Sequence, residues 1–274
     1  MNCVRMDRGA NPASTAAANA TASAEEVRSV TDRLAAVGYL EWRGLLPAAM
    51  LARVNETITR GRRPGFEHSI ADDVAELVEE LRAFAPFARV EAMARAATLA
   101  AHPEFPALAT GRDTGSFHVL RCVDASAGWT SHRRHFDSHL MTILIHLQTP
   151  GGAHENGDLV VYPHRRHVRG SFVNLLQKTR TKLPQGLPLW WRRATTRFDL
   201  RRGRAIRLAA VAGDIHVFNG FASMHCNLSV DSGERRALML HDYDPGLAFG
   251  LSAYLRARRR RTSSPELTRR VKVG

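Results

Sequence analysis

In "AEEVRSVTDRLAAVGYL" apolar residues return at intervals of three and four, as at Val27, Val30, Leu34 and Val37. That spacing lays one apolar stripe along an α-helix. The same period runs through "LPAAMLARVNETITR", "IADDVAELVEELRAF" and "ARVEAMARAATLAAHP", with "RRPG" and "FAPF" as breaks, so residues 25–110 are expected to be helical. From Gly115 the period shortens. "SFHVLRCV", "LMTILIHLQ", "DLVVYP", "AIRLAAV", "DIHVF", "MHCNLSV" and "RALMLHDY" are short β-branched or aliphatic runs punctuated by Gly, Asn and Asp. Short strands following a helical block predict an α+β fold, with a β-sandwich or barrel over 115–245 backed by the N-terminal helices. No internal repeat or heptad array is present.

Composition narrows the class. A chain of 274 residues is long enough for one large domain with a sizeable core, here assigned to 25–255. No apolar run approaches the roughly 20 residues of a membrane span, so a soluble protein without a membrane partner is expected. Residues 1–24 contain "ANPASTAAANATASA", small and polar where a signal peptide would be apolar, and read as a disordered leader. Cys3, Cys122 and Cys226 are odd in number, widely separated and without CxxC spacing. This argues against a disulfide framework or a cysteine-bound metal and fits a cytoplasmic location.

The net charge of +13 is concentrated in two places. Residues 165–207 hold 13 Lys/Arg against one acid, Asp199, and residues 256–272 hold 8 against one, Glu266, leaving the rest of the chain net acidic. The first segment lies in the long connection between "VVYP" and "AIRL", a lid-like insertion over 165–205. With Trp190 and Trp191 it reads either as an ordered clamp over an anionic substrate or as an exposed loop with a hydrophobic anchor. The second segment is a basic C-terminal tail over 256–274, either solvated or touching nucleic acid.

Candidate chemistry begins at "SHRRHFDSHL". On an extended backbone residues i and i+2 point the same way, so His135 and Asp137 can reach one point together. Imidazole nitrogen with carboxylate oxygen is a donor set for Fe(II), Mn or Zn. A third ligand is available in His225, 90 residues on, inside "AGDIHVFNGFASMHCNLSVDSGERRALMLHD". Two His and one carboxylate on one face is the arrangement of non-haem Fe(II) oxygenases. Arg235, ten residues after His225, can return on the neighbouring strand and grip a carboxylate bidentately.

"HFDSHLMTILIHLQ…NGDLVVYP" and the distal "GD…VF…H…GERR" together resemble the Fe(II)/2-oxoglutarate-dependent dioxygenase superfamily, in its prolyl-4-hydroxylase-like branch, over Gly115 to Tyr243. The resemblance implies a double-stranded β-helix, the jelly-roll or cupin-like barrel. It implies that His135, Asp137 and His225 ligate Fe(II), and that Arg235 binds the distal carboxylate of 2-oxoglutarate. His146 stands where the branch often has a Tyr that touches the same carboxylate. Arg236 is the competing anchor, but it shares a strand face with Leu238 and Leu240, whereas Arg235 alternates with Ala237. The implied reaction couples oxidative decarboxylation of 2-oxoglutarate by O2, giving succinate and CO2, to hydroxylation or related C–H oxidation. Because Asp137 is present where halogenating relatives have Gly or Ala, halide transfer is not expected.

The expected substrate is an anionic or carrier-bound small molecule. A protein or peptide side-chain hydroxylase is the alternative enzyme, and a basic nucleic-acid-binding module with a non-catalytic barrel is the alternative from another class. His132, His139, His154, His164, His167, His216 and His241 read as packed or surface histidines, Cys226 as a buried thiol pointing away from the metal. On the first strand of the barrel, Arg121 and His118 face opposite sides, and either can approach the site.

Overall fold

The computed structural model describes residues 23–61, 71–105, 116–151, 155–167 and 170–247. The expected leader, except Ser23 and Ala24, and the basic tail lie outside them. Among these residues four helices come first, α1 (Ala24–Val37), α2 (Ala48–Gly61), α3 (Ala71–Arg82) and α4 (Ala85–Ala101), with one short strand, β1 (Tyr39–Trp42), after α1. Then follow β2 (Phe117–Asp124), β3 (Met141–Gln148) and β4 (Leu159–Arg165). Two helices, α5 (Ser171–Lys182) and α6 (Leu189–Arg201), lead to β5 (Ile206–Leu208), β6 (Ile215–Phe218), β7 (Ser223–Asn227) and β8 (Glu234–Asp242).

Helix α1 opens on a reciprocal capping box between Ser23 and Glu26 and ends at Gly38, which is left-handed. The sequence pattern carries this helix on through "GYL". In the structure Gly38 turns the chain instead, and Tyr39–Trp42 pairs antiparallel with β6. The helical period was true as far as Val37; the pairing that converts the next four residues to strand lies far downstream in sequence.

All strand pairs are antiparallel. The larger sheet runs β1-β6-β3-β8-β2 and the smaller β5-β4-β7. Alternation divides the larger sheet cleanly. Met141, Ile143, Ile145 and Leu147 of β3, Ile215 and Val217 of β6, and Leu238 and Leu240 of β8 face the helices, where they join Val54, Leu77, Leu81, Phe87 and Ala94 in the main core. Leu144, Phe218 and Ala237, from the opposite face, pack against Leu159, Val161 and Leu208 of the smaller sheet. The two sheets therefore lie face to face over a second core, and that inner layer also holds the candidate site. Among the described residues no continuous strand ladder closes them into a barrel; near the site an isolated bridge joins His135, outside both sheets, to His225 of β7.

The basic insertion is helical rather than loop-like. On the outer face of the smaller sheet, Leu200 of α6 packs on Val160, Tyr162, Ala205 and Cys226, and Asp199 pairs with Arg134 and accepts from Tyr162. Trp190 and Trp191 are exposed rather than turned over the inner layer. Three hydrogen bonds tie the insertion to residues 131–138: Lys178 Nζ to Ser138 Oγ, Gln185 Nε2 to the Arg134 carbonyl and Arg192 Nη1 to the Ser131 carbonyl. No described helix is long and apolar enough to cross a membrane.

Buried Glu91 on α4 joins the helical layer to the sheet. It accepts two bonds from Arg82 of α3, at 2.7 and 3.0 Å, and two from Arg95, at 2.8 and 3.2 Å, while Arg95 also reaches buried Asp242 at the end of β8. Burial alone would raise the Glu91 carboxyl, but the two guanidinium groups hold it below its ordinary value. The native carboxyl thus binds its proton less readily than the unfolded one, so its stabilisation is present above the unfolded pKa and is lost as pH falls through the lowered native one. Glu91→Gln is expected to cost about 2–3 kcal/mol, discounted for the partial exposure of both arginines. It should also flatten the acid limb of the stability–pH curve, as read from urea midpoints.

Candidate active site

His135 lies in an extended segment that pairs with β7. His135 and His225 exchange backbone hydrogen bonds, 3.0 Å each way, and Asp137 N donates to the Gly220 carbonyl at 2.9 Å. This brings the two imidazoles to 4.3 Å between ring centroids. Ligand atoms of His135, Asp137 and His225 all lie within 4.8 Å of one another. The three residues that the sequence pattern singles out are thus brought together on one point.

Both imidazoles are oriented by the backbone. Nδ1 of His135 donates to the Arg133 carbonyl at 2.9 Å, and Nδ1 of His225 to the Ser223 carbonyl at 3.1 Å. A carbonyl only accepts, so each Nδ1 carries a proton, and in the neutral ring each Nε2 keeps its lone pair on the Asp137 side, the outer-shell device common at metal-binding histidines. Their Nε2 atoms lie 3.6 and 3.5 Å from the Asp137 carboxylate. Burial, with the His225 charge, pushes His135 down to about 4. Burial opposes protonation of His225 too, but Asp137 reverses the balance and raises it. Asp137 would be raised by burial; the charges of His225 and His241 instead hold its carboxyl well below the usual range.

Three residues not singled out as site members, Thr142, His241 and Gly220, complete this corner. Thr142 Oγ1 donates to Asp137 Oδ2 at 2.8 Å and lies 3.0 Å from His241 Nδ1. The hydroxyl has one proton, given to the carboxylate, so His241 Nδ1 donates to the threonine oxygen. The chain His241–Thr142–Asp137 fixes the carboxylate. Gly220 lies so close that a Cβ there would stand 2.2 Å from Asp137 Oδ2 and 2.7 Å from Thr142 Oγ1. The inward alternation of "MTILIHLQ" is a usable signal for Thr142; the close approach of Gly220 depends on tertiary structure and has none.

Arg235 and Arg236 have separate tasks. Arg236 faces the helices, donating to Glu234, to the Asn55 carbonyl at 2.8 Å and to Thr59 at 2.9 Å, which clamps α2 to β8. Arg235 faces the inner layer, 3% exposed, and its Nε and Nη2 meet no partner among the described residues. Burial, with the nearby charge of Arg121, lowers its guanidinium to about 10. Its stem passes Gly157, where φ is +77° and a Cβ would strike Arg235 Cδ at 2.4 Å. His146 is fully buried on the same inner face of β3. Its Nε2 lies 3.1 Å from His216 Nδ1, and His216 Nε2 lies 3.3 Å from Glu41 of β1. Burial, with Arg235 and His216, keeps His146 neutral, well below its ordinary value.

The remaining histidines, read from sequence as packed or surface residues, divide between the two. His132, His139, His216 and His241 are all buried. His132, with φ of 56°, faces Glu155 at 3.3 Å rather than the triad. His167 is exposed, whereas His154 and the His164 side chain lie outside the described residues. Cys226 points away from the triad into the outer cluster, and burial pushes its thiol up to about 12.

No protein-family model matches the chain, and no curated protein matches it. It is similar to several solved structures. A prolyl-4-hydroxylase from Pseudomonas putida is 16% identical, with a TM-score of 0.41, over 79% of this chain and 93% of that one. A prolyl hydroxylase from Trichoplax adhaerens, in complex with a hypoxia-inducible-factor oxygen-degradation-domain peptide, is 11% identical, with a TM-score of 0.46, over 82% and 93%. The non-haem α-ketoglutarate-dependent carbocyclase SnoK of nogalamycin biosynthesis is 13% identical, with a TM-score of 0.43, over 82% and 86%.

The opposed settings of the two arginines predict opposite responses. Arg236→Met removes buried bonds to three partners and is expected to destabilise by about 2–3 kcal/mol. Arg235→Met removes an unpaired buried charge and is expected to be neutral or stabilising by about 1–2 kcal/mol. Urea unfolding of both variants checks the contrast.

Proposed function

We propose that this chain is a non-haem Fe(II)/2-oxoglutarate-dependent oxygenase, its two facing sheets forming a double-stranded β-helix. The observation that carries the reading is the pairing of a two-histidine, one-carboxylate face with a buried guanidinium lacking an anion in the same inner layer. The donor set suits Fe(II) with open positions left on the metal. The two partnerless Arg235 nitrogens suit a carboxylate fork. His135, Asp137 and His225 would hold the iron, and Arg235 the distal carboxylate of 2-oxoglutarate.

When bound, iron and 2-oxoglutarate supply the oxidising chemistry, using O2 and yielding succinate and CO2 while a substrate C–H bond is oxidised. The protein's part is placement. The backbone carbonyls of Arg133 and Ser223 keep the Nε2 lone pairs of His135 and His225 available. Thr142, backed by His241, holds the Asp137 carboxylate so that it occupies its position rather than leaving it to a halide.

His146 takes a role different from the one implied by the branch's tyrosine. Glu41 accepts from His216 Nε2, leaving His216 Nδ1 to accept from His146 Nε2, so His146 Nδ1 faces inward as a bare acceptor. A neutral acceptor cannot donate to a carboxylate. We therefore assign the carboxylate to Arg235, with His146 as a neutral neighbour on the same inner face.

Fe(II)-dependent formation of succinate from 2-oxoglutarate is the direct test, with an absorption band on adding 2-oxoglutarate to the anaerobic Fe(II) protein as its binding counterpart. Chelation of the metal should remove both signals. His135→Ala should reduce metal affinity by more than the roughly 10–100-fold that loss of an outer hydrogen-bond partner costs. Full succinate production by that variant would refute the ligand assignment.

A further inference from the structure

A second guanidinium faces the inner layer. Arg121 of β2 stands opposite Ala237 in the β2–β8 register, with Arg235 two residues along the same face of β8. Its neighbour across the ladder is thus a methyl group. Its Nε is buried with no hydrogen-bond partner, and it makes no ion pair among the described residues. Its charge acts on His135, His225, His241 and Arg235, so it stands within electrostatic reach of both the triad and the anchor.

The acids nearby are already engaged. Asp137 belongs to the triad and to Thr142, while Asp158 accepts from Arg207 and from the Ala210 backbone. On the function proposed above, on which this inference rests, a dication, the Asp137 carboxylate, the 2-oxoglutarate dianion and Arg235 cancel in charge. Arg121, half-buried with its Nε shielded from solvent and unbonded, then remains as a cation with no ion pair among the described residues, placed for an anion to join it.

We propose that Arg121 is the receptor for a carboxylate carried by the substrate, so that the substrate is a small monoanionic acid oxidised within a few bonds of its carboxyl group. The planar guanidinium fork matches a carboxylate. One cation balances one negative charge, whereas a phosphate monoester brings about −1.5 to −2 at neutral pH. An internal residue of a peptide brings none, which separates this class from a peptide side-chain substrate.

The test uses the full chain loaded with Mn(II), which supports binding without turnover, and saturated with 2-oxoglutarate. Trifluoroacetate serves as the carboxylate probe, followed by 19F line broadening, with the Zn(II)-loaded protein as the diamagnetic control. Saturable broadening in the wild type is expected. It should weaken about tenfold or more in Arg121→Gln and be largely retained in Arg121→Lys, while 2-oxoglutarate affinity, measured calorimetrically, stays unchanged in both. Thermal unfolding identifies a variant that fails to fold, and the lysine variant then carries the comparison against Arg121→Met.

Broadening that is absent in the wild type, or equal in Arg121→Gln, overturns the proposal. Loss of 2-oxoglutarate affinity in Arg121→Gln to the extent seen in Arg235→Gln also overturns it, assigning Arg121 to the co-substrate while leaving the oxygenase reading intact. Failure of the wild type to bind 2-oxoglutarate in the presence of Mn(II) removes the oxygenase reading itself and this inference with it.

Discussion

The paired backbone hydrogen bonds between His135 and His225 hold the candidate site together. They join an extended segment that belongs to neither sheet to a strand of the smaller one, and without them the two imidazoles have no reason to share a point. The rest of the arrangement supports this contact. The insertion helices bond to residues 131–138 from outside, and the Gly220 carbonyl takes the Asp137 amide from the next turn. Backbone atoms do most of this positioning, so side chains remain available for ligation.

Alternation on the larger sheet then separates structure from chemistry. Outward residues of β3, β6 and β8 enter the main core, where burying aliphatic surface provides the dominant stabilisation. Inward residues include Arg121, Thr142, His146, Arg235 and His241, a set that is poor for packing. The partnerless buried guanidinium of Arg235 opposes folding rather than aids it. Local rules broken without a structural gain are expected at functional sites, and Arg235 and His146 break them on the face that looks toward the triad.

Much of this was legible in the sequence because the relevant signals are local. The period of two in "MTILIHLQ" places His146 inward, and the same period in "ERRALMLHD" separates Arg235 from Arg236. His135 and Asp137 share a face by spacing alone. What escaped depends on contacts between distant segments. Tyr39–Trp42 is a strand because β6, about 175 residues away, offers an edge. Thr142 and Gly220 gain their roles only when the turn after β6 meets the carboxylate. Neighbours in sequence leave open whether the remaining histidines are packed or exposed, and burial decides it only in three dimensions. The helices of the insertion were hidden by its charge, since their apolar contacts are sparse.

The short strand β1 bears on how the molecule can be dissected. It caps the β6 edge, and Glu41 within it reaches His216, which in turn contacts His146. The helical N-terminal portion is therefore threaded into the sheet that holds the site. Excising residues from Gly115 onward, the span in which all the ligating motifs reside, would expose a bare sheet edge and strip the terminal carboxylate from an interior histidine pair. The motif-bearing part is not a module, and transplanting or truncating it requires carrying β1 along.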